Sequence, residues 1–180
     1  MIKFTIVTIT YNAADVFMRT ADSVARQTYA AVEHLIIDGA SSDGTQNMAE
    51  EYKKASNAAC NGHEVRIISE PDKGLYDAMN KGRRLATGDY VCFLNAGDFF
   101  PSADTLDVIA ANARLEECSS EGKPLPGVLY GDTDWVDNDG NYMSRRRLTP
   151  PEKLTWRSFR HGMLVCHQAF YARTDLAQKV

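Results

Sequence analysis

The sequence predicts one α/β domain built on an open, mainly parallel β-sheet with helices on both faces. The main observation is an alternation of strand-like and helical segments between residues 4 and 132, in the order β-α-β-α-β-α-β-α-β. This alternation is typical of parallel sheets, because each crossover helix returns the chain to the same end of the sheet. The length of 180 residues and the hydrophobic content of 44% suit one domain with a sizeable core.

The first three strands are predicted from short runs rich in β-branched and apolar residues, at residues 4–10, 32–38 and 65–69. Apolar residues at helical spacing separate these runs. We expect the first helix to have Asp15 as its N-cap and to reach about Thr28. The second should begin with a capping box of Asp43 and Gln46 and stop at Asn61-Gly62.

The fourth strand is predicted at residues 90–94, after a third helix with apolar positions between residues 75 and 86. Its continuous apolar run is typical of a strand buried on both faces. The run stops abruptly at Asn95, Ala96, Gly97 and Asp98. These four residues are either a polar turn or part of a site, since open α/β sheets bind ligands beyond the carboxyl ends of their strands.

The last third of the chain departs from the alternation. The Asp-Asn-Asp-Gly sequence at residues 137–140 predicts a turn between two antiparallel strands, near residues 134–136 and 141–147. The other expected elements are a fourth helix capped by Ser102 or Asp104, a loop at 119–126, a fifth strand at 127–132, a short helix at 153–160 and a strand-like run at 162–172.

Several classes of protein do not fit the sequence. The net charge of −4 and the short basic run Arg145-Arg146-Arg147 disfavour nucleic-acid binding. The P-loop pattern is absent, and no G-x-G-x-x-G follows the first strand. The four cysteines lack C-x-x-C spacing, so we expect no zinc site. Neither a secretory signal nor a membrane-spanning apolar run is recognisable, which predicts a cytoplasmic protein.

Three predicted strands end in residues suited to one ligand. Tyr11 follows the first strand and can stack on a base. Asp38 ends the second strand and can accept a hydrogen bond from a base such as uracil. Asp98 follows the fourth strand and can bind a hard cation such as Mg²⁺ or Mn²⁺, which prefers oxygen ligands and commonly bridges carboxylates to phosphates. The sequence therefore predicts a nucleotide and metal site at this edge of the sheet.

Four segments of the chain are typical of one family of enzymes: TIVTITYN at 5–12, DGASSDGT at 38–45, EPDKGLYDAMN at 70–80 and ATGDYVCFLNAGD at 86–98. Through them the chain resembles the family 2 glycosyltransferases of GT-A fold. The resemblance implies sugar transfer from a nucleotide-diphosphate sugar, most often a UDP-sugar, with Mn²⁺ or Mg²⁺. It implies a single GT-A domain in which residues 1–100 bind the donor and residues 101–180 begin an incomplete acceptor half.

The resemblance also implies roles for single residues of the donor half. Thr8, Tyr11 and Asp38 would line the base. Lys73 would approach the diphosphate, unless it is a solvated loop lysine. Asp77 and Asn80, one helical turn apart, would support the donor-sugar pocket, unless they only cover the helix surface.

The metal motif differs from the family's usual Asp-x-Asp. Asn95, Ala96 and Gly97 stand in the places before Asp98, so Asp98 is the one carboxylate of the motif. Asn95 can offer a neutral oxygen or bind the ribose. The substrate phosphates would then supply more of the coordination, and His167 is a further candidate ligand, since neutral imidazole binds metals.

The resemblance implies an inverting displacement whose base is a carboxylate. We expect that base beyond Val180, and therefore expect these 180 residues to be a fragment. Asp132 and Asp134 are the fallback bases. The acceptor would be a carbohydrate or a lipid-linked glycan, and the arginines at 145–147 either form a solvated strand face or meet acceptor phosphates or the inner face of a membrane.

Three alternative functions remain. A sugar nucleotidyltransferase shares the sheet and the metal chemistry, but it would want a glycine-rich basic loop where residues 11–15 read Tyr-Asn-Ala-Ala-Asp. A fragment that binds UDP without transferring sugar fits the missing base. An α/β interaction module without a ligand would leave the three strand ends unexplained.

Overall fold

The computed structural model describes residues 1–179. It contains eight strands: β1 (Phe4–Thr10), β2 (Val32–Asp38), β3 (Glu64–Ser69), β4 (Tyr90–Phe93), β5 (Val128–Tyr130), β6 (Asp134–Val136), β7 (Tyr142–Arg145) and β8 (Phe170–Arg173). The α-helices are α1 (Phe17–Ala25), α2 (Thr45–Ala59), α3 (Leu75–Leu85), α4 (Thr105–Asn112), α5 (Leu115–Ser120) and α6 (Thr174–Ala177). None of the helices in residues 1–179 is long and apolar enough to cross a membrane.

Six strands form one sheet in the order β3-β2-β1-β4-β8-β5. β1 pairs in parallel with β2 and β4, and β2 pairs in parallel with β3. β8 lies antiparallel between β4 and β5, so β5 runs in the same direction as the first four strands. β6 and β7 form the separate antiparallel hairpin. The predicted mixed sheet, mainly parallel with a hairpin in the last third, is therefore confirmed.

Helices cover both faces of this sheet, because alternate residues of its central strands point to opposite sides. Every residue of β1 and β2 is buried. On one face, Ile6 and Ile36 belong to clusters that include residues of α1, α2 and α4. On the other face, Val7 packs in a cluster with residues of α3. A Cβ on Gly82 of α3 would lie 2.4 Å from Val7 Cγ1, so α3 contacts the sheet closely at a glycine.

Two polar networks cross the buried sheet, one on each face. Thr8 donates to the Leu94 carbonyl at 2.9 Å and contacts His34 Nε2 at 2.9 Å, and His34 Nδ1 contacts the Tyr52 hydroxyl at 2.8 Å. Because Thr8 donates its proton to Leu94, His34 Nε2–H donates to Thr8 and the Tyr52 hydroxyl donates to Nδ1. This arrangement satisfies a neutral imidazole inside the core.

The second network surrounds Glu33, whose side chain is completely buried. Its carboxylate accepts hydrogen bonds from the Thr5 hydroxyl at 2.6 Å and the Thr87 amide at 2.8 Å, and it forms an ion pair with Arg66 at 2.5 Å. Burial alone would raise the pKa of Glu33, but the hydrogen bonds from Thr5, Thr87 and Arg66 lower it below its usual value. Glu33 is therefore ionised in the folded protein at neutral pH.

Several element boundaries differ from the prediction. α1 begins at Phe17, and Asp15 is not its N-cap. Asp43 and Gln46 do not form a capping box, because Gln46 donates to Asp38 instead. The predicted loop at 119–126 overlaps the end of α5. The predicted helix at 153–160 is a 3-10 turn at Trp156–His161.

The strand-like run predicted at 162–172 is a strand only from Phe170 onward. A 3-10 turn at His167–Ala169 precedes it. The side chains of His167 and Gln168 make hydrogen bonds with the end of β4, which accounts for the departure from extended backbone there.

Candidate functional site

The carboxyl ends of β1, β2, β3 and β4 lie at one edge of the sheet, because these strands run in the same direction. From β1 the chain proceeds to β2 and β3 on one side, whereas β4 adds on the other side. The direction of winding thus reverses between β1 and β4. Open α/β sheets bind ligands in the crevice that such a reversal leaves.

The loops after β1 and β2 are joined by hydrogen bonds. The Asn12 amide donates to Ser41 Oγ at 2.8 Å, and the Ser42 amide donates to Asn12 Oδ1 at 2.9 Å. The Ala14 amide donates to Asp43 Oδ2 at 2.9 Å. Asn12 has a φ of 46°, a left-handed conformation that asparagine tolerates better than most residues. The two loops therefore form one surface beside the strand ends.

Asp43 joins this surface to the start of α2. Its Oδ1 accepts hydrogen bonds from the Thr45 amide at 3.1 Å and from the Thr45 hydroxyl at 2.6 Å. The hydrogen bonds from Thr45, followed by the one from the Ala14 amide, lower the pKa of Asp43. Asp43 is therefore an ionised structural link between the two loops.

Asp38 is buried at the end of β2, with 1% of its surface exposed. Its Oδ2 accepts hydrogen bonds from Ser69 Oγ at 2.6 Å, from the Ser41 amide at 3.0 Å and from Gln46 Nε2 at 3.1 Å. Its Oδ1 accepts from the Ser41 hydroxyl. The carboxylate thus holds the ends of β2 and β3 and the loop after β2 together, with its acceptor capacity concentrated on Oδ2.

A cleft of about 540 Å³ opens beside Asp38, and Tyr11, Gly39, Pro71, Asp72 and Leu75 are among the residues that line it. Tyr11 is 66% exposed, so its ring is available to a flat ligand. A Cβ on Gly39 would lie 2.8 Å from Asp72 Oδ2 and 3.1 Å from the Tyr11 ring. Glycine at position 39 therefore permits the two walls of the cleft to approach each other.

Thr8 does not reach this cleft. It is completely buried, and its hydroxyl is bound to Leu94 and His34 in the core. Its side chain points to the face of the sheet that His34 and Tyr52 share, because alternate residues of β1 point to opposite faces. Thr8 instead supports the sheet beneath the site.

Lys73 precedes α3, and Asp77 and Asn80 lie within it, close in the chain to the cleft residues Gly74 and Leu75. The Lys73 amide donates to Asp77 Oδ2 at 3.1 Å, and Lys81 approaches the same carboxylate at 3.9 Å. The Gly74 amide donates to Asp72 Oδ1 at 2.8 Å. Lys73 and Asn80 are exposed. Asp72 and Asp77 thus shape the loop that presents the Lys73 side chain to solvent.

Residues 95–98, which we call the 95–98 turn, follow β4. The Asp98 amide donates to the Asn95 carbonyl at 2.9 Å, and Gly97 has a φ of 100°, which favours glycine. Thr20 of α1 accepts from the Gly97 amide at 2.9 Å and donates to the Asp98 carbonyl at 2.6 Å. The Ala96 amide donates to the Ile9 carbonyl at 3.1 Å. The turn is therefore fastened to both β1 and α1.

The 3-10 turn before β8 contacts the 95–98 turn. Because β8 is antiparallel to β4, its amino end lies at the carboxyl end of β4. Gln168 Nε2 donates to Asp98 Oδ2 at 3.0 Å, and Asn95 Nδ2 contacts His167 Nε2 at 3.2 Å. Burial lowers the pKa of His167, and the nearby Asp98 partly opposes this shift. His167 is therefore neutral at pH 7.

The 95–98 turn fits a divalent cation only with oxygens from outside the protein. In residues 1–179, no three His, Cys, Asp or Glu side chains cluster in a way that could hold a metal ion. Asp98 Oδ2 is bound to Gln168, which leaves Oδ1 for a ligand. Asn95 Oδ1 is buried and has no hydrogen-bond partner among the described residues. These oxygens suit a hard cation whose remaining ligands come from a substrate such as a diphosphate.

Asp132 and Asp134 follow β5 and leave the sheet at the same edge. Both are exposed, and Asp132 Oδ1 accepts from the Thr133 amide at 3.0 Å. The predicted base beyond Val180 lies outside the described residues.

The hairpin of β6 and β7 contacts the far side of the 95–98 turn. The Arg19 guanidinium donates to the Asn138 carbonyl at the hairpin tip, and its carbon lies 5.9 Å from the centre of the Phe99 ring. A Cβ on Gly140 would lie 3.6 Å from that ring. Arg19 and Phe99, the residue that follows Asp98, therefore hold the hairpin tip against the end of the 95–98 turn.

Four residues of this site were not expected from the sequence: Thr20, Asp72, Gln168 and the Arg19 anchor of the hairpin. Asp72 lies inside the EPDKGLYDAMN segment, so the motif itself could have indicated it. Thr20 and Gln168 contact Asp98 from sequence separations of 78 and 70 residues. Such contacts leave no local pattern in the sequence.

The sequence profile of the family described as Glycosyl transferase family 2 matches residues 5–178. The PGL/p-HBAD biosynthesis glycosyltransferase of Mycobacterium tuberculosis is 34% identical over 173 residues, which are 96% of this chain and 60% of that protein. Glycosyltransferase YibD of Escherichia coli is 32% identical over 74% of this chain and 43% of its own length. The chain thus spans 60% or less of the length of these relatives.

Solved structures also resemble the fold. A mannosyltransferase from Pyrobaculum calidifontis, in complex with GDP-Man and Mn²⁺, is 26% identical with a TM-score of 0.56, over 72% of this chain and 35% of that chain. Staphylococcus aureus TarS, in complex with UDP, matches 98% of this chain and 48% of its own, with a TM-score of 0.65 at 20% identity.

Proposed function

Because the chain belongs to glycosyltransferase family 2, we propose that it transfers a sugar from a nucleotide-diphosphate donor to a hydroxyl group of a glycan or lipid-linked acceptor. The observation that carries the proposal is the meeting of two features at one sheet edge. One is the cleft of Tyr11, Gly39 and Asp72, and the other is the 95–98 turn with Asp98. The cleft offers a surface for a base, and the 95–98 turn offers a carboxylate for a cation that would accompany a diphosphate.

The cleft would hold the nucleoside. The exposed ring of Tyr11 offers a stacking surface, and a stacked base contributes about 1–3 kcal/mol. Asp38 lies buried next to the cleft residue Gly39, and a base N–H that reached it would donate to Oδ1, which accepts one hydrogen bond from Ser41. A uracil N3–H fits this acceptor, so we propose a UDP-sugar as the donor. The GDP-Man bound to the mannosyltransferase from Pyrobaculum calidifontis supports a nucleotide-sugar donor in general.

The wall at the start of α3 would hold the rest of the donor. The exposed Lys73 would approach the diphosphate, whose charge it complements. Asp77 and Asn80 would support the sugar pocket. Asp77 also accepts a hydrogen bond from the Lys73 amide, so it keeps the Lys73 backbone in place at the start of α3.

Asp98 would hold a divalent cation, Mn²⁺ or Mg²⁺, with Asn95 and His167 as further candidate ligands beside it. When bound, such a cation neutralises the charge that develops on a departing diphosphate. Mn²⁺ is present in the Pyrobaculum calidifontis mannosyltransferase structure. Ala96 and Gly97 would present their backbone to the donor without side-chain bulk.

The proposed transfer inverts the configuration of the sugar. The acceptor oxygen forms a bond to the anomeric carbon while the bond from that carbon to the diphosphate oxygen breaks. A carboxylate takes the acceptor proton. We propose that this base lies beyond Val180, with Asp132 and Asp134 as the alternatives within the chain.

A second candidate function is UDP binding without transfer by these 180 residues. It is favoured by the exposed, isolated positions of Asp132 and Asp134 and by the relatives' greater length. It uses the same donor cleft. Sugar transfer by these residues would decide for the enzyme.

The proposed function is tested by calorimetric titration of UDP into the protein with Mn²⁺ and with EDTA. We expect Mn²⁺ to tighten UDP binding and the Asp98→Ala variant to lose most of that gain, because its one carboxylate ligand is gone. Glu50→Ala, which removes an exposed carboxylate of α2 that has no role in the proposed site, is the matched control and should bind UDP like the wild type. Absence of UDP binding in both conditions would sink the proposal.

A further inference from the structure

Gln168 makes the one hydrogen bond that residues 1–179 provide to the Asp98 carboxylate, from Nε2 to Oδ2 at 3.0 Å. The other end of its amide, Oε1, accepts from the Cys166 thiol. A carboxylate only accepts hydrogen bonds, whereas a thiol donates. The amide of Gln168 therefore has one consistent orientation, with its nitrogen toward Asp98 and its oxygen toward Cys166.

The backbone that carries Gln168 is held firmly against β4. The buried Cys92 thiol donates to the His167 carbonyl at 3.8 Å and the Gln168 carbonyl at 3.4 Å. The strand that follows, β8, pairs with β4 through Val91 and Ala172. The side chain of Gln168 thus reaches Asp98 from a packed element rather than from a free loop.

We propose that Gln168 is a positioning residue for Asp98. By orienting this single carboxylate, it compensates for the absence of a second carboxylate in the 95–98 turn. This inference rests on the proposed function, in which Asp98 holds a divalent cation. With Oδ2 engaged by Gln168, the carboxylate is fixed in rotation and presents Oδ1 alone. A single carboxylate that is already oriented loses less freedom when it binds the cation. Outer partners of this kind typically contribute 10–100-fold to metal affinity.

The test is the Gln168→Met variant, which keeps the length of the side chain and removes its hydrogen-bond donor. We expect its apparent Kd for Mn²⁺, measured by titration in the presence of UDP, to rise about 10–100-fold. UDP binding in EDTA should stay at the wild-type value. A sufficient excess of Mn²⁺ should restore UDP binding, since the site is disoriented but not removed.

Gln178→Met is the matched control, because Gln178 is also an amide donor on the last quarter of the chain. Its Nε2 donates to the carbonyls of Arg83, Arg84 and Ala86, away from Asp98. We expect its Mn²⁺ affinity to equal that of the wild type. Thermal midpoints of both variants separate loss of folding from loss of orientation.

The neighbouring thiol gives a second test. Cys166→Ser keeps a donor for Gln168 Oε1, whereas Cys166→Ala removes it. We expect the Kd for Mn²⁺ to rise several-fold in the alanine variant and to remain near the wild-type value in the serine variant. Equal Mn²⁺ affinities of these two variants would contradict the orienting role.

Two results with Gln168→Met would overturn the inference: an unchanged Kd for Mn²⁺, or an equal loss of UDP binding with Mn²⁺ and with EDTA. The second would identify Gln168 as a general structural residue. Failure of the proposed function looks different, because the wild type itself would then show no effect of Mn²⁺ on UDP binding, and the positioning role would fall with it.

Discussion

His34 lies fully buried between Thr8 and Tyr52, in the layer beneath the candidate site. Burial, with a smaller contribution from His63, lowers its pKa from 6.5 to about 3. The chain of hydrogen bonds from His34 through Thr8 to Leu94 accommodates the neutral ring. The folded protein therefore disfavours protonation of this ring, and acid should lower the stability of the fold.

The stability of the protein should decrease as the pH falls from 6.5. In that range the unfolded chain binds a proton at His34 that the folded chain does not, so the free energy of unfolding rises with pH. We expect a slope of about 1.4 kcal/mol per pH unit from this residue. Urea unfolding at pH 7.5, 6.5, 5.5 and 5.0 measures it.

His34→Gln should flatten most of this slope, although it lowers stability at pH 7. His63→Gln is the control, because burial lowers the pKa of the partly buried His63 while its hydrogen bond with the Tyr29 backbone opposes that shift. A slope that survives in the His34 variant and vanishes in the His63 variant would contradict the assignment.

Single residues of the site could be predicted where they belong to a contiguous motif. Asp98 and Gly97 follow a buried strand, and their chemistry is visible in the sequence. Gln168 could not be predicted, because an amide in a strand-like run has no pattern of its own and its partner is 70 residues away. The burial of Thr8 could not be predicted from its residue type, because position within a strand decides which face of the sheet a side chain takes.

Among the elements, β8 is the one that sequence periodicity could not place. Its four residues enter the sheet between β4 and β5, although β5 precedes it by about 40 residues in the chain. The alternation of strands and helices predicts the parallel direction of β1 to β4, because each crossover helix returns the chain to the same end of the sheet. It contains no information on a strand that arrives late and runs antiparallel.

The second and third strands, β2 and β3, are also joined by the ion pair of Glu33 and Arg66. Glu33→Gln should lower the free energy of unfolding at pH 7 by about 1–3 kcal/mol, because it removes the buried carboxylate that accepts hydrogen bonds from Thr5, Thr87 and Arg66. Urea unfolding at pH 7 measures this change.

Glu64→Gln is the matched control for that ion pair. Glu64 pairs with Lys3 at 2.9 Å, but it is 56% exposed, so its loss should cost about 0–1 kcal/mol. Equal effects of the two variants would show that burial of Glu33 does not determine the strength of the pair.

For the molecule as a whole, the carboxyl end of the sheet and its buried interior have different roles. The carboxyl end carries the cleft and the 95–98 turn, while Glu33 and its partners stabilise the interior. The GT-A fold expected from the resemblance agrees with the match to TarS over 98% of the chain. Residues 101–180 are less determined by sequence pattern, because the hairpin is exposed and few of its residues must be apolar.

This contrast predicts the pattern of hydrogen exchange. Amides of β1 and β2, in which every residue is buried, should exchange only through global unfolding. Amides of β7, in which every residue is exposed, should exchange through local opening, at a much lower free energy. Native-state exchange measured by mass spectrometry tests this, and equal protection of β2 and β7 would contradict it.

The late position of β8 has a consequence for synthesis. On the ribosome, β4 is complete at residue 93, but the strand that covers its outer edge begins only at residue 170. At about 5–20 residues per second, the edge of β4 stays open for several seconds. An open edge is a template for pairing with other chains. The nascent protein is therefore most vulnerable to aggregation in this interval, and the arrival of β8 closes the edge and brings Gln168 to Asp98 in the same event.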